Sequence, residues 1–136
     1  MDAPHVLIGY DGSEPARRAV ERVATFMPQA NVAIVTVADP IYRDPPYTGY
    51  ADPKEEEQHR AALAEAQEVL RKSGIEATAT MPIGQAADEI VRTATESGAD
   101  LIVLGARGLN PVKRLVLGSV STKVLHEAPC DVLVVK

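Results

Sequence analysis

"DLIVLGARGLNPVKRLVLGS", Asp100–Ser119, joins a short apolar run to three spaced glycines and a serine. An apolar run of this length that ends in glycine is typical of a parallel strand covered on both faces. Gly105 and Gly108 follow the run, and Gly118 stands directly before Ser119, where a helical pattern begins. Glycine lets backbone approach a ligand closely, and the first turn of a helix binds phosphate. The segment therefore predicts a strand, an anion-binding loop and a helix.

Four other short runs also have the character of strands. The runs HVLIGY (5–10), VAIVTVA (32–38) and DVLVV (131–135) are almost continuously apolar, like DLIVLG (100–105). The run GIEATATM (74–81) alternates instead, with Ile75, Ala77, Ala79 and Met81 on one face. Alternation indicates a strand that lies nearer an edge of the sheet.

Helical patterns separate these five strands. Ser13–Met27 has Ser13 as a candidate N-cap and Pro15 in its first turn, both typical of a helix start. The other three predicted helices are Lys54–Ser73, Gln85–Ser97 and Ser119–Glu127. Strict alternation of strand and helix predicts an α/β fold: a three-layer α/β/α structure with a five-stranded parallel sheet between helices.

Length, charge, and the numbers of cysteine and histidine residues limit the classes of protein to which the chain can belong. The chain has 136 residues, the length of one domain, and we expect residues 1–136 to form it. A net charge of −5 argues against general attraction to nucleic acid or to an anionic membrane. One cysteine, Cys130, and an N-terminus without secretory-signal features favour the cytoplasm. The three histidines are widely separated, so no protein metal site is predicted.

The candidate binding residues follow the predicted strands. Ligands of open parallel sheets bind beyond the carboxyl ends of the strands, where the strand order reverses. Asp11 follows the first run, Val37 ends the second and Gly105 ends the fourth. The N–H groups of Ser119, Val120 and Ser121 form the first turn of the last helix, which favours phosphate. Neither a P-loop nor a dinucleotide-binding glycine motif is present.

These residues carry a resemblance to a known family. GARGLNPVKRLVLGS fits the pattern G-x2-G-x9-G-[ST] and resembles the ATP-binding branch of the universal stress protein family. VLIGYDGSEPARRAVERV resembles that family's opening strand, aspartate and helix, and HEAPCDVLVVK resembles its closing strand. Ala106 departs from the pattern, because many relatives have serine or threonine there.

The resemblance implies a Rossmann-like fold of the adenine-nucleotide α-hydrolase type, with sheet order 3-2-1-4-5. It further implies that ATP binds at the ends of strands 1 and 4, with Mg²⁺ on the phosphates. Asp11 matches the family's nucleotide-site aspartate, and Val37 matches the residue whose backbone meets adenine. Matches to the ribose and phosphate contacts are Gly105, Gly108, Gly118, Ser119 and Val120. The strand Val132–Val135 is similar to the one through which family members form homodimers.

Each of these candidate binding residues also has a purely structural interpretation. Asp11 is also a suitable N-cap for the first helix, and the glycines are also suitable turn residues. Arg107 belongs to a basic cluster that either faces solvent or approaches phosphate. The segment Asp39–Pro53 holds three tyrosines, and the sequence does not assign it a role.

Three functions remain open from the sequence. The favoured hypothesis is a homodimeric, ATP-binding regulatory protein of the stress response, with Mg²⁺ on the phosphates and Asp11 as a further candidate ligand. Beyond Asp11 the matched motifs offer no general base, so catalysis is not assigned, although slow hydrolysis or autophosphorylation of Ser119 or Ser121 is left open. The alternatives are a dimerisation scaffold with a vestigial site and a small enzyme on the same fold. The sequence does not distinguish ATP from AMP or a cyclic nucleotide as the ligand.

Overall fold

Five parallel strands form one sheet in the order β3-β2-β1-β4-β5. The computed structural model describes residues 2–40, 51–106 and 118–136. The strands are β1 His5–Gly9, β2 Asn31–Val35, β3 Thr78–Thr80, β4 Leu101–Gly105 and β5 Asp131–Val135. The predicted parallel sheet and its order 3-2-1-4-5 are therefore confirmed.

Helices cover both faces of this sheet. They are α1 Glu14–Phe26, α2 Pro53–Lys72, α3 Ala86–Ser97 and α4 Ser119–Glu127. Side chains of α1 and α2 share one buried cluster with Val6 and Ile8 of β1. Leu7, the strand residue between those two, points the other way into a cluster with α3 and α4. Because successive strand side chains alternate between faces, the sheet lies between two apolar layers.

The first helix begins as the sequence predicts. Ser13 is the N-cap of α1, and its Oγ accepts a hydrogen bond of 3.3 Å from the Ala16 N–H. Pro15 lies in the first turn, where a missing N–H costs nothing. This cap fixes the start of α1 just beyond the carboxyl end of β1.

The third strand is shorter than the predicted 74–81. Its parallel pairing with β2 covers Thr78–Thr80 alone, although Ile75 is buried on the expected face. The reason lies at the end of α2, where Gly74 has φ +83° and donates its N–H to the Arg71 carbonyl. The Ile75 N–H is bound to the Leu70 carbonyl at 3.0 Å. The N–H groups of Gly74 and Ile75 therefore bond to the end of α2, and they are not available to begin the strand.

The described residues show neither a membrane-spanning helix nor a cluster of metal ligands, and their one cysteine is partly buried. No helix in those ranges has the length and apolarity that crossing a membrane requires. Within the same ranges, no three His, Cys, Asp or Glu side chains are grouped so that they would hold a metal ion. Cys130 is half-buried against the cluster of α3 and α4. Burial, together with Asp131 and Asp100, raises the pKa of its thiol, which opposes formation of a reactive thiolate.

Candidate functional site

A cavity of about 440 Å³ opens at the carboxyl ends of β1, β2 and β4. It lies where the strand order reverses between β1 and β4, as open α/β sheets place their ligands. Seven residues predicted from the sequence line it: Asp11, Val37, Gly105, Gly118, Ser119, Val120 and Ser121. The other two, Arg107 and Gly108, lie outside the described residues. The fold therefore brings the described candidates into one space.

One wall of the cavity is the N-terminus of α4. Gly118 is its N-cap, with φ −66° and ψ 166°, and no side chain caps this end. The first helical hydrogen bond runs from the Thr122 N–H to the Gly118 carbonyl at 3.0 Å. The N–H groups of Ser119, Val120 and Ser121 precede that bond and stand at the positive end of the helix dipole. This wall has the chemistry of an anion site.

Asp11 occupies the turn between β1 and α1. Its Oδ1 accepts a hydrogen bond of 2.9 Å from the Ser13 N–H, and Gly12 between them has φ +77°. Ser13, not Asp11, is the N-cap of α1. Asp11 therefore holds the N–H of the cap residue instead of capping the helix itself, and it lines the cavity.

Gly105 has a packing role that the sequence did not reveal. A Cβ at this position would collide with the backbone of Pro15 and Ala16 in the first turn of α1. The end of β4 and the start of α1 are therefore in direct backbone contact. That contact closes one side of the cavity, which Ala16 and Gly105 both line.

The backbone of Val37 faces the cavity from the opposite side. The N–H groups of Thr36 and Ala38 donate to Thr80 and Pro82, on the side of β3. Because successive residues of an extended chain turn their polar groups to opposite sides, Val37 directs its N–H and carbonyl away from β3. Beyond the end of β1, that direction leads into the cavity.

Sequence reasoning missed a hydrogen-bonded group on this same side. Thr36 Oγ1 lies 3.3 Å from His59 Nδ1, and His59 Nε2 lies 3.2 Å from Glu55 Oε1. The Asp39 N–H approaches the same carboxylate oxygen at 3.5 Å. Glu55, His59 and Asp39 all line the cavity. The signal in the sequence was a glutamate and a histidine four residues apart on α2, which share one helix face.

The described lining of the cavity is acidic. It contains the carboxylates of Asp11, Asp39 and Glu55, and none of its described members is lysine or arginine. Tyr10 also lines the cavity, and burial raises the pKa of its phenol, although a hydrogen bond with Arg17 partly opposes the shift. Over the described residues, attraction for an anion comes from backbone N–H groups.

The chain has relatives of the same size and fold. The protein is 39% identical over 136 residues to the universal stress protein in the QAH/OAS sulfhydrylase 3′ region of Thermus aquaticus, covering 96% of this chain and 97% of the relative. A universal stress protein crystallised with cAMP has a TM-score of 0.79 and 28% identity, covering 100% of this chain and 99% of that one. The Archaeoglobus fulgidus universal stress protein in complex with dAMP has a TM-score of 0.76 at 24% identity, with both chains covered completely.

The family model agrees with these similarities. The model of the universal stress protein family matches residues 3–136, which is almost the whole chain. The matched range includes each strand and helix of the described residues and each described residue that lines the cavity. The protein therefore belongs to the universal stress protein family.

Proposed function

We propose that this protein is a regulatory module that binds ATP, with Mg²⁺ on the phosphates, in the cavity between β1 and β4. The observation that carries the proposal is the N-terminus of α4, whose cap residue has no side chain and whose first-turn N–H groups border the cavity. A related structure, 28% identical, holds cAMP, which makes an adenine nucleotide the expected class of ligand.

The two sides of the cavity suggest how the nucleotide lies. The phosphates belong at the N-terminus of α4, which packs beside α3 and β5. The base belongs on the other side, at the backbone edge of Val37 and beside the apolar side chain of Val35 on β2. The ribose then lies near Asp11 and Gly105, at the ends of the two central strands.

Asp11 fits a role with Mg²⁺. A carboxylate beside a polyphosphate is unfavourable unless a cation lies between them. Mg²⁺ is commonly held by one or two carboxylates together with phosphate oxygens and water. Asp11 supplies one such oxygen ligand, and the ion would reduce the repulsion between the phosphates and the acidic lining.

Binding, rather than turnover, is the activity that we assign. The histidine in the cavity has both ring nitrogens engaged, Nδ1 with Thr36 and Nε2 with Glu55. A general base must hold a free acceptor within reach of the proton that it removes. His59 is thus arranged to hold structure, which supports a module that responds to nucleotide occupancy.

Thermal unfolding tests the proposal on protein from which ligand has been removed. A ligand at one hundred times its Kd stabilises the folded state by about 2.7 kcal/mol. In a domain of this size, Mg-ATP should therefore raise the unfolding midpoint by several degrees. The midpoint shifts with AMP and cAMP, compared with that for ATP, give the contribution of the phosphate chain to binding. The shift for ATP in the presence of EDTA gives the contribution of Mg²⁺. A midpoint that no nucleotide changes would contradict the proposal and favour a dimerisation scaffold.

We further propose that the protein forms a homodimer through β5. The sheet has two edges: β3 is a three-residue edge rich in threonine, whereas β5 is five residues long and apolar. Leu133 on β5 is 36% exposed and Phe26 on α1 is 67% exposed, and both line a shallow depression beside the strand. A long apolar edge with exposed neighbours needs a covering strand, which a second copy supplies.

Proline at position 134 should convert this dimer to a monomer. The Val135 carbonyl accepts from Ala106 on the β4 side, so the N–H of Val134 points to the open edge. Val134→Pro removes that outward donor and leaves the bonds to β4 in place. Sedimentation at micromolar concentration should give a dimer for the wild type and for Val134→Thr, and a monomer for the proline variant. A wild-type monomer would overturn the dimer proposal.

A further inference from the structure

Glu55 is held in one orientation by its neighbours on α2 and β2. A carboxylate only accepts hydrogen bonds, so His59 Nε2, at 3.2 Å from Glu55 Oε1, is the donor. In the neutral ring Nδ1 is then an acceptor, and the Thr36 hydroxyl at 3.3 Å donates to it. Thr36 is 1% exposed, so this anchor lies in the core. The chain of bonds from Thr36 through His59 fixes the Glu55 side chain.

Glu55 lines the cavity and keeps capacity to accept further hydrogen bonds. Its Oε1 receives His59 Nε2 and the Asp39 N–H, whereas a carboxylate has about four lone-pair directions over its two oxygens. Among the described residues no hydrogen bond is made to Oε2, so this is the oxygen that we assign to a donor on a ligand. A carboxylate that is held in one orientation and accepts hydrogen bonds selects for N–H groups on a ligand.

The position of Glu55 in the fold indicates which part of a nucleotide it would contact. Its helix α2 packs on β2 and β3, whereas the phosphate wall at α4 packs beside α3 and β5. The two therefore lie on opposite sides of the point where the strand order reverses. Asp39 and Glu55 would repel phosphate, so the base is the part of the ligand that belongs beside them.

We propose that Glu55, oriented by His59, selects purines that carry an amine at C6, accepting a hydrogen bond from the adenine amino group. This selectivity rests on the nucleotide-binding function proposed above and adds a side chain that reads the base. Hypoxanthine has a carbonyl where adenine has the amine, so its oxygen would face the carboxylate. Loss of a hydrogen bond together with repulsion between two acceptors predicts weaker binding by roughly tenfold or more.

The test is calorimetric titration with Mg-ATP and Mg-ITP, which differ at that position of the base. The wild type should prefer ATP by about tenfold or more. Glu55→Gln keeps the side-chain shape and can present an amide N–H, so its preference should fall to within about threefold through tighter ITP binding and weaker ATP binding. Glu57→Gln, an exposed charge change on the same helix, is the matched control and should keep the wild-type preference.

Two further experiments distinguish recognition of the base by Glu55 from a contact with the phosphates or the ribose. His59→Phe preserves an aromatic ring and removes both hydrogen bonds, so it should also reduce the preference for ATP, while the affinity for inorganic tripolyphosphate, titrated directly, stays as in the wild type. Mg-dATP is included because a carboxylate also binds ribose hydroxyls. An ATP/dATP ratio that changes in Glu55→Gln, while the ATP/ITP ratio does not, would overturn the proposal in favour of ribose contact.

The outcomes also distinguish this inference from the function on which it rests. Equal binding of ATP and ITP by the wild type would overturn base selection by Glu55 and leave nucleotide binding intact. A Glu55→Gln variant with the wild-type ratio would do the same. Absence of binding by every nucleotide would refute the proposed function itself, and the selectivity with it.

Discussion

Replacing Gly118 by aspartate should greatly weaken nucleotide binding without destabilising the protein. The Gly118 backbone, with φ −66° and ψ 166°, has the conformation of an ordinary N-cap, so a side chain there meets no backbone strain. An aspartate would accept hydrogen bonds from the N–H groups of Val120 or Ser121, the donors that we assign to phosphate. It would also place a negative charge at the phosphate position. We expect Kd for Mg-ATP to rise by at least about 100-fold, equivalent to roughly 2.7 kcal/mol.

Stability of the unliganded variant distinguishes a lost site from a damaged fold. Aspartate is a better N-cap than glycine by a few tenths of a kcal/mol, so the urea midpoint without nucleotide should be unchanged or slightly higher. Gly118→Asn is the matched control, because it has the same shape and can cap the same N–H groups without the charge. Its loss of affinity should be smaller than that of the aspartate variant. Wild-type affinity in Gly118→Asp would place the phosphates elsewhere.

The elements of the fold were predictable because their signals are local. Apolar runs, the Ser13 cap and the glycines that end the helices each act within a few residues, and the strand order follows from the family resemblance. The third strand was predicted too long for a local reason as well. Gly74 both ends α2 and carries the chain onward, and the bond from the Ile75 N–H to Leu70 assigns that residue to the helix cap. The alternation of apolar residues in 74–81 correctly indicated which face of the segment is buried. It did not indicate at which residue hydrogen bonding to β2 begins.

The candidate site was predictable on one side and not on the other. Residues directly after strands must meet at one edge of a parallel sheet, so Asp11, Val37 and Gly105 were expected together. Glu55 and His59 belong to a helix that reaches the cavity after the segment Asp39–Pro53, and no motif fixes where such a helix begins. Their place depends on the packing of α2 against β2, a tertiary contact that the sequence does not encode locally.

Alanine at Gly105 should lower the free energy of unfolding by roughly 3 kcal/mol or more. An added Cβ would collide with the backbone of Pro15 and Ala16, and backbone cannot move aside as a side-chain tip can. Overpacking of a buried site commonly costs about 1 to 3 kcal/mol, and rigid neighbours place this position at the upper end. The unfolding midpoint should fall by roughly 10 °C, measured without nucleotide by circular dichroism.

Gly74→Ala separates steric collision from backbone strain. Gly74 has φ +83° and no atom within 4 Å of an added Cβ, so alanine there meets strain alone, about 1 to 2 kcal/mol. Gly105 is not among the described glycines with positive φ, so its cost comes from the collision alone. If Gly105→Ala were as stable as the wild type, the contact between β4 and α1 would be looser than described. If it is the more damaging variant, Gly105 is required by the fold itself, and loss of nucleotide binding on its substitution does not identify a ligand contact. That distinction makes Gly118, where a side chain fits the backbone, the position at which binding and folding can be tested separately.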